Sequence, residues 1–369
     1  TNKITKTKQF MKVLVINDTH YGFKHGNERF LKQSDEFFDH IFEYCNKHSI
    51  TKILHLGDFF DHRRYINFRV LSQTKTKFLN RLRQNGLTMD IVPGNHDVAY
   101  KNTNSLNSLN EVFYPAYSDC VAVHHVPTIV RYDELEIGLI PWITQDNYDE
   151  CMNAISKFPT PFLAGHFEIA GFQYIANSNT KSSGFDRKKF AKFDKVLSGH
   201  FHTKSTQDNI YYLGAPYQMN WGDVDDKKYF HVIDTETREL IPIENKQHLY
   251  QKVYYNDYGV ESVYELMSRR TTDDNINDAF VRVIVTQKND YYLFDKFIEY
   301  LRDLCPYDLK ILENFDVSTF DDENNPESSV IEDTETLMFE YVDSIENENI
   351  EKDELKHFLH ELCLEASQL

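Results

Sequence analysis

The chain has 369 residues, 41% of them apolar and 27% charged, and a formal net charge of −18. That length allows two or three domains. The composition excludes disordered, collagenous and low-complexity classes, and no run approaches the roughly 20 apolar residues of a membrane helix. The opening TNKITKTKQF lacks the apolar core of a secretory signal. Residues 1–10, ahead of Met11, are expected to be an upstream extension or an appended remnant. Cysteines at 45, 120, 151, 305 and 363 form no C-x-x-C pair, which argues against a disulfide framework or thiolate zinc site and for a reducing, intracellular setting.

The acidity is uneven. Residues 321–369 carry a net −14, leaving −4 for the other 320 residues. His62–Arg83 holds seven Lys/Arg and no acid, and Arg187–Lys204 holds six against Asp194 alone. A nucleic-acid partner is therefore compatible with the overall charge.

In chain order, apolar runs of strand length occur at KVLVIN (12–17), KILHLG (52–57), MDIV (89–92), PFLAG (161–165) and KVLSG (195–199). Helical spacing links Phe37, Phe38, Ile41, Phe42 and Cys45, and again Val70, Leu71, Phe78 and Leu82. Strands alternating with helices predict βαβ units and a sheet buried on both faces. IYYL (210–213) and YFHVID (229–234) look antiparallel or mixed. Past residue 245 a small α+β domain (246–320) is expected, with FVRVIVT (280–286) and YDLKIL (307–312) as strands around a helix at 291–304. An acidic linker (321–333) and a two-helix module (334–369) close the chain.

Five motifs each follow a predicted strand: DTH (18–20), GDFFD (57–61), GNHD (94–97), GH (165–166) and GHFH (199–202). Ligand sites in open α/β sheets form at the carboxyl ends of strands, so the motifs are expected at one rim of one sheet. They offer Asp18, His20, Asp58, Asn95, His166, His200 and His202, oxygen and imidazole donors suited to manganese, iron, zinc or magnesium. Seven donors exceed the needs of one four-coordinate ion, and a bridging carboxylate between two ions explains the excess. Two such ions can clamp a phosphate and acidify a bound water. Histidines 25, 40, 48, 124, 125 and 231 lack a motif and are expected to be surface or satisfied core residues.

In this order the motifs resemble the calcineurin-like metallophosphoesterases. DTHYG, GDFFDHRR, VPGNHD and YLGAPYQMNWGD (212–223) resemble more closely the SbcD-type double-strand-break nuclease branch, including its bacteriophage recombination members. The resemblance implies a four-layer α-β-β-α sandwich over residues 11–245, with 246–320 as a capping, DNA-binding domain. It implies that Asp18, His20 and His202 hold one divalent ion, that Asn95, His166 and His200 hold the other, and that Asp58 bridges. The ions would be manganese, with magnesium as the alternative. His96 would stabilise the transition state and protonate the leaving oxygen, and Asp97 would orient His96 or support its loop. Asp61 stands where some members carry histidine, and it is assigned no catalytic role.

Arg63, Arg64, Arg69, Lys75 and Lys77 are the candidate DNA contacts, the alternative being a solvated helix face. Two short amphipathic helices do not hold up alone. Through Leu337, Tyr341, Leu355, Phe358, Leu359 and Leu362 they would either fold back on the body or, as the resemblance implies, dock on an SMC-like ABC-type ATPase. The resemblance further implies a homodimer through the nuclease domain, 3′-to-5′ exonuclease action on duplex DNA and endonuclease action on single strands. The setting would be the cytoplasm, that of the host for a phage protein. The rivals are another metallophosphoesterase (a phosphoprotein phosphatase or cyclic-nucleotide phosphodiesterase) and a non-catalytic scaffold on the same fold.

Overall fold

The computed structural model describes residues 10–172, 184–260, 262–268, 276–313 and 342. The expected linker and, apart from Val342, the two-helix module lie outside these, and so do Leu337, Tyr341, Leu355, Phe358, Leu359 and Leu362. The chain divides into two compact units. Of the described residues, those up to Gln218 and Asp223–Leu249 form the first, and Met219–Gly222 with those from Tyr250 onward form the second.

The first unit contains strands β1 (Lys12–Ile16), β2 (Lys52–His55), β3 (Thr88–Ile91), a hairpin of β4 (Val98–Tyr100) and β5 (Thr103–Asn107), β6 (Val121–Val123), β7 (Thr128–Tyr132) and β8 (Leu135–Ile140). It continues with β9 (Phe162–His166), β10 (Lys195–Gly199), β11 (Ser205–Gln207), β12 (Ile210–Tyr212), β13 (Lys228–Asp234) and β14 (Leu240–Asn245). The strands form two six-stranded sheets, where strand periodicity suggested one and the resemblance implied two, in the orders β14-β13-β1-β2-β3-β6 and β11-β12-β10-β9-β8-β7. Each has four parallel strands; antiparallel β13 and β14 flank one edge of the first, and antiparallel β11 and β7 flank both edges of the second. Parallel strands are covered on both faces and read as continuous apolar runs, as Val13–Ile16 do with every residue buried.

The inner faces share one core. Val13, Val15 and Leu54 of the first sheet pack with Ile137, Leu139, Phe162 and Leu197 of the second, each burial contributing about 1.5–3 kcal/mol. Helices cover the outer faces. Helix Glu28–His48 is capped by the Asn27 side chain and packs Phe37 against Phe230 of β13. Helix Tyr148–Lys157 packs Cys151 and Ile155 against Leu163 and Val196 of the second sheet. A third helix runs as Phe68–Gln73, a π-helical Thr74–Leu79, and Asn80–Gln84, which buries Val70, Phe78 and Leu82.

The second unit holds β15 (Tyr250–Asn256), β16 (Phe280–Gln287) and β17 (Asp308–Glu313), with helices Val263–Ser268 and Tyr291–Asp303 between them. All three strands are parallel, in the register Val253↔Val283↔Ile311. Parallel neighbours require crossover connections, so this unit is α/β rather than the α+β expected. Val253, Val283, Phe294, Phe297 and Leu301 form its core. Trp221 is half-buried beneath the Arg282 guanidinium, 4.1 Å from its ring centroid.

His231 departs from the expectation of a satisfied core residue. On β13 it is 1% exposed, and neither ring nitrogen has a hydrogen-bond partner. Burial, reinforced by Lys204, pushes its pKa down to about 3. The unfolded chain takes up this proton near pH 6.5. The stabilising difference is therefore complete above pH 6.5 and is lost as pH falls towards 3, amounting to about 2–3 kcal/mol at pH 4.5. His231→Leu should flatten the decline of melting temperature between pH 7 and pH 4.5. An unchanged decline would contradict a buried neutral imidazole.

Candidate metal centre

DTH follows β1, GDFFD follows β2 and GNHD follows β3, while His166 ends β9 and GHFH straddles the end of β10. The motifs thus converge from the carboxyl ends of both sheets. Backbone bonds stitch the loops together: Asp18 N–H donates to Gly57 O at 3.0 Å, and His20 N–H donates to Asp58 O at 3.1 Å. The His200 N–H donates to the Asp18 carboxylate at 3.0 Å, which joins the two sheets. Asp18, His20, Asp58 and His200 all have left-handed backbone, with φ between 39° and 88°. That conformation costs of order 1–3 kcal/mol per residue and persists only where surroundings enforce it.

Two ligand-like clusters meet at the carboxylates. The donor atoms of Asp18, His20 and His202 lie within 4.8 Å of one another, as do those of Asp18, Asp58 and His166. His20 Nε2 is 3.2 Å from His202 Nε2, and His166 Nε2 is 3.2 Å from Asp58 Oδ2. Asn95 Oδ1 lies 3.0 Å from both His166 Nε2 and His200 Nδ1. All seven predicted donors come together, and each is buried. His96 also falls within donor reach of His20 and Asp58, but its Nδ1–H donates to Asp61 O at 2.6 Å, which fixes the ring.

The electrostatics call for positive charge. Burial pushes Asp18 up to about 6, against the attraction of His166 and with the repulsion of Asp58. Burial also opposes ionisation of Asp58, yet the imidazoles of His166 and His96 hold it well below the usual carboxylate range. His166 would be lowered by burial, but Asp58 and Asp18 carry it up to about 9. Burial, aided by His20, holds His202 well below the ordinary imidazole value. Two carboxylates sharing one dry site both ionise only where cations offset their charge. Carboxylate oxygen, amide oxygen and imidazole nitrogen converging there suit divalent ions.

The Asp97 side chain forms no hydrogen bond with the His96 ring among the described residues. Its carboxylate accepts the N–H groups of Phe59, Phe60 and Gly94, tying two of the loops together. The orienting group on His96 is the Asp61 carbonyl, which no side-chain pattern could reveal. Sequence reasoning also passed over Trp142, whose ring lies 5.3 Å from that of His200, and Asn17, which donates to the Asp18 carboxylate. Of the basic stretch, Arg64, Arg69, Lys75 and Lys77 are exposed and Arg63 is half-buried. Among the described residues none of these five forms an ion pair, whereas Arg81 and Arg83 pair with Asp39 and Asp119.

The calcineurin-like phosphoesterase family matches residues 11–204, more than half of the chain. The protein belongs to that family, whose fold implies divalent metal ions. Over 361 residues, 97% of this chain and 100% of the relative, it is 29% identical to exonuclease subunit 1 of Enterobacteria phage T4. Among solved structures it is similar to a dimetal phosphatase from Danio rerio, with 10% identity over 61% of this chain and 92% of the other at a TM-score of 0.38. It is also similar to Pseudomonas putida nuclease MPE, with 14% identity over 63% and 87% at a TM-score of 0.31. Among the described residues no helix is long and apolar enough to cross a membrane.

Gly94 marks where loops and carboxylate press together. A Cβ there would lie 2.2 Å from Asp58 Oδ1 and 2.4 Å from Asp58 N. Backbone cannot yield to it cheaply, so Gly94→Ala should cost about 1–3 kcal/mol and displace Asp58. Thermal melts and metal content of the purified variant check this, and wild-type values in both would contradict the packing described.

Proposed function

We propose that the protein is a two-metal DNA nuclease, manganese-dependent, and the nuclease subunit of a recombination and double-strand-break repair complex. The observation that carries this reading is continuity. The Asp61 carbonyl that holds His96 is followed directly by exposed cations at Arg64 and Arg69 with no acidic partner among the described residues. A phosphate backbone held there would run into the buried donors. Similarity along nearly the full chain to a phage exonuclease subunit supports the same reading.

Asp18, His20 and His202 would hold one ion, and Asn95, His166 and His200 the other, with Asp58 between them. When bound, such a pair supplies a Lewis-acid clamp on the phosphate and an acidified water. The chain's own groups do the rest. The Asp61 carbonyl occupies His96 Nδ1–H and burial lowers the ring's pKa, so Nε2 would start unprotonated, take up a proton from solvent as the phosphate enters and pass it to the leaving oxygen. Asp97 keeps the loops carrying Asp58 and His96 in register. The specific activities in this proposal are 3′-to-5′ duplex exonuclease and single-strand endonuclease action. The partners are an SMC-like ATPase bound through residues 334–369 and a second copy of the nuclease domain. The same donors would serve a phosphoprotein phosphatase or cyclic-nucleotide phosphodiesterase, and the exposed basic stretch favours DNA.

End-labelled duplex DNA incubated with Mn²⁺ and then with Mg²⁺, beside phosphoprotein and cyclic-nucleotide substrates, decides between these readings. Asp58→Asn should abolish cleavage. His96→Ala should retain both ions while turnover falls roughly 10²–10⁴-fold, and loss of one ion would make His96 a ligand instead.

Replacing Arg63, Arg64 and Arg69 together with alanine should weaken duplex binding and shrink its log–log salt slope by up to about 0.9 per lost phosphate contact. Hydrolysis of bis-(p-nitrophenyl) phosphate should barely change. An unaltered slope would return the stretch to a solvated helix face.

A further inference from the structure

The motif YLGAPYQMNWGD lies beyond the part of the chain matched by the family and contributes no donor to the site. It nevertheless reaches two of the donor residues, His202 directly and Asp18 through Asn17, and the Thr19 peptide between Asp18 and His20. Ala215 N–H donates to the His202 carbonyl at 2.9 Å. Lys228 Nζ donates to the same carbonyl at 3.2 Å. This ammonium is itself 3% exposed, and it is fixed by Asp223 Oδ1 at 2.6 Å and Asp226 Oδ2 at 2.9 Å. The Asn17 amide donates both to the Asp18 carboxylate and, at 2.9 Å, to Gly214 O. The Tyr217 hydroxyl donates to the Thr19 carbonyl. Thr19 sits between two left-handed residues, Asp18 at φ 48° and His20 at φ 39°. Its side chain is held as well, by His55 Nε2 at 3.1 Å and Phe59 O at 3.1 Å.

We infer that residues 213–218 and 223–228 form a brace dedicated to the Asp18–His20–His202 ion site, with Tyr217 and Lys228 as its positioning residues. The inference deepens the two-ion reading and rests on it. The physical reason is strain. A peptide flanked by two left-handed residues relaxes unless its carbonyl is pinned, and Tyr217 pins it. A ligand beyond the end of β10 has no ladder to hold its backbone, and two donors on the His202 carbonyl replace that ladder. On the other side of the site, His166 lies within β9 and is oriented by Leu56 O at 2.8 Å, so it draws its rigidity from the sheet.

The test is a Mn²⁺ binding isotherm beside a thermal melt. Tyr217→Phe keeps the ring, which packs on Phe37 with centroids 5.4 Å apart, and removes only the hydroxyl. One of the two ions should then bind roughly 10–100-fold more weakly, as is typical when an outer support of a ligand is lost, while the other keeps its affinity. Cleavage should recover towards wild type at high Mn²⁺. Lys228→Met should do the same, with a lower melting temperature because two acids lose their cation. In a His166→Ala background Tyr217→Phe should weaken the remaining ion, and in a His202→Ala background it should leave it unchanged. Tyr132→Phe, which removes an equally buried hydroxyl bonded to Asp90, should leave the isotherm alone. Unchanged isotherms in Tyr217→Phe, or equal weakening of both ions, would overturn the brace. A wild-type chain binding fewer than two ions would instead overturn the two-ion reading.

Discussion

Two carboxylates, Asp18 and Asp58, are buried side by side where the carboxyl ends of two sheets meet. Nearly everything else in the first unit follows from the cost of that arrangement. Charge of one sign in a dry site demands charge of the other, and the four imidazoles and one amide oxygen gathered round the pair are the side chains that can share cations with it. The left-handed backbone at four of these positions is a second cost. It is met by bonds between loops: Asp97 across the second and third, Asp18 across to the loop after β10, and Tyr217 and Lys228 from behind.

Placement of the site explains the sheet architecture. A single open sheet presents its strand ends along a line, which cannot surround an ion. Two sheets stacked through Val13, Leu54, Ile137 and Leu197 present strand ends on opposite sides of the same point. The inner core thus positions chemistry as well as supplying stability, and substitutions at Val15 or Leu139 are expected to reach the metal centre through loop spacing.

The legibility of this in sequence was uneven, for physical reasons. Strands followed by glycine and an acid, amide or histidine announced themselves, because a sharp turn into a crowded site needs those residues. β8 had no such motif after it and was missed, although it lies within the second sheet. β15 was missed because YQKVYYN mixes polar and aromatic residues without strict alternation. The division of the motifs between two sheets was invisible to periodicity, which reports burial and says nothing of pairing. His231 could not be distinguished from a bonded core histidine, since its lack of partners is a property of its neighbours. Backbone acceptors such as the Asp61 carbonyl leave no trace in residue identity at all.

The bond from the His200 N–H to the Asp18 carboxylate crosses from one sheet to the other, and the donor clusters do the same. Whatever cation settles among them is therefore a rivet as well as a reagent. Its binding energy adds to the cohesion of the sandwich by mass action, so the availability of metal in the surroundings sets how firmly the two halves of the first unit are fastened. Any change of the site towards weaker or stronger ion binding would then alter the stability of the fold as well as the chemistry the ions serve.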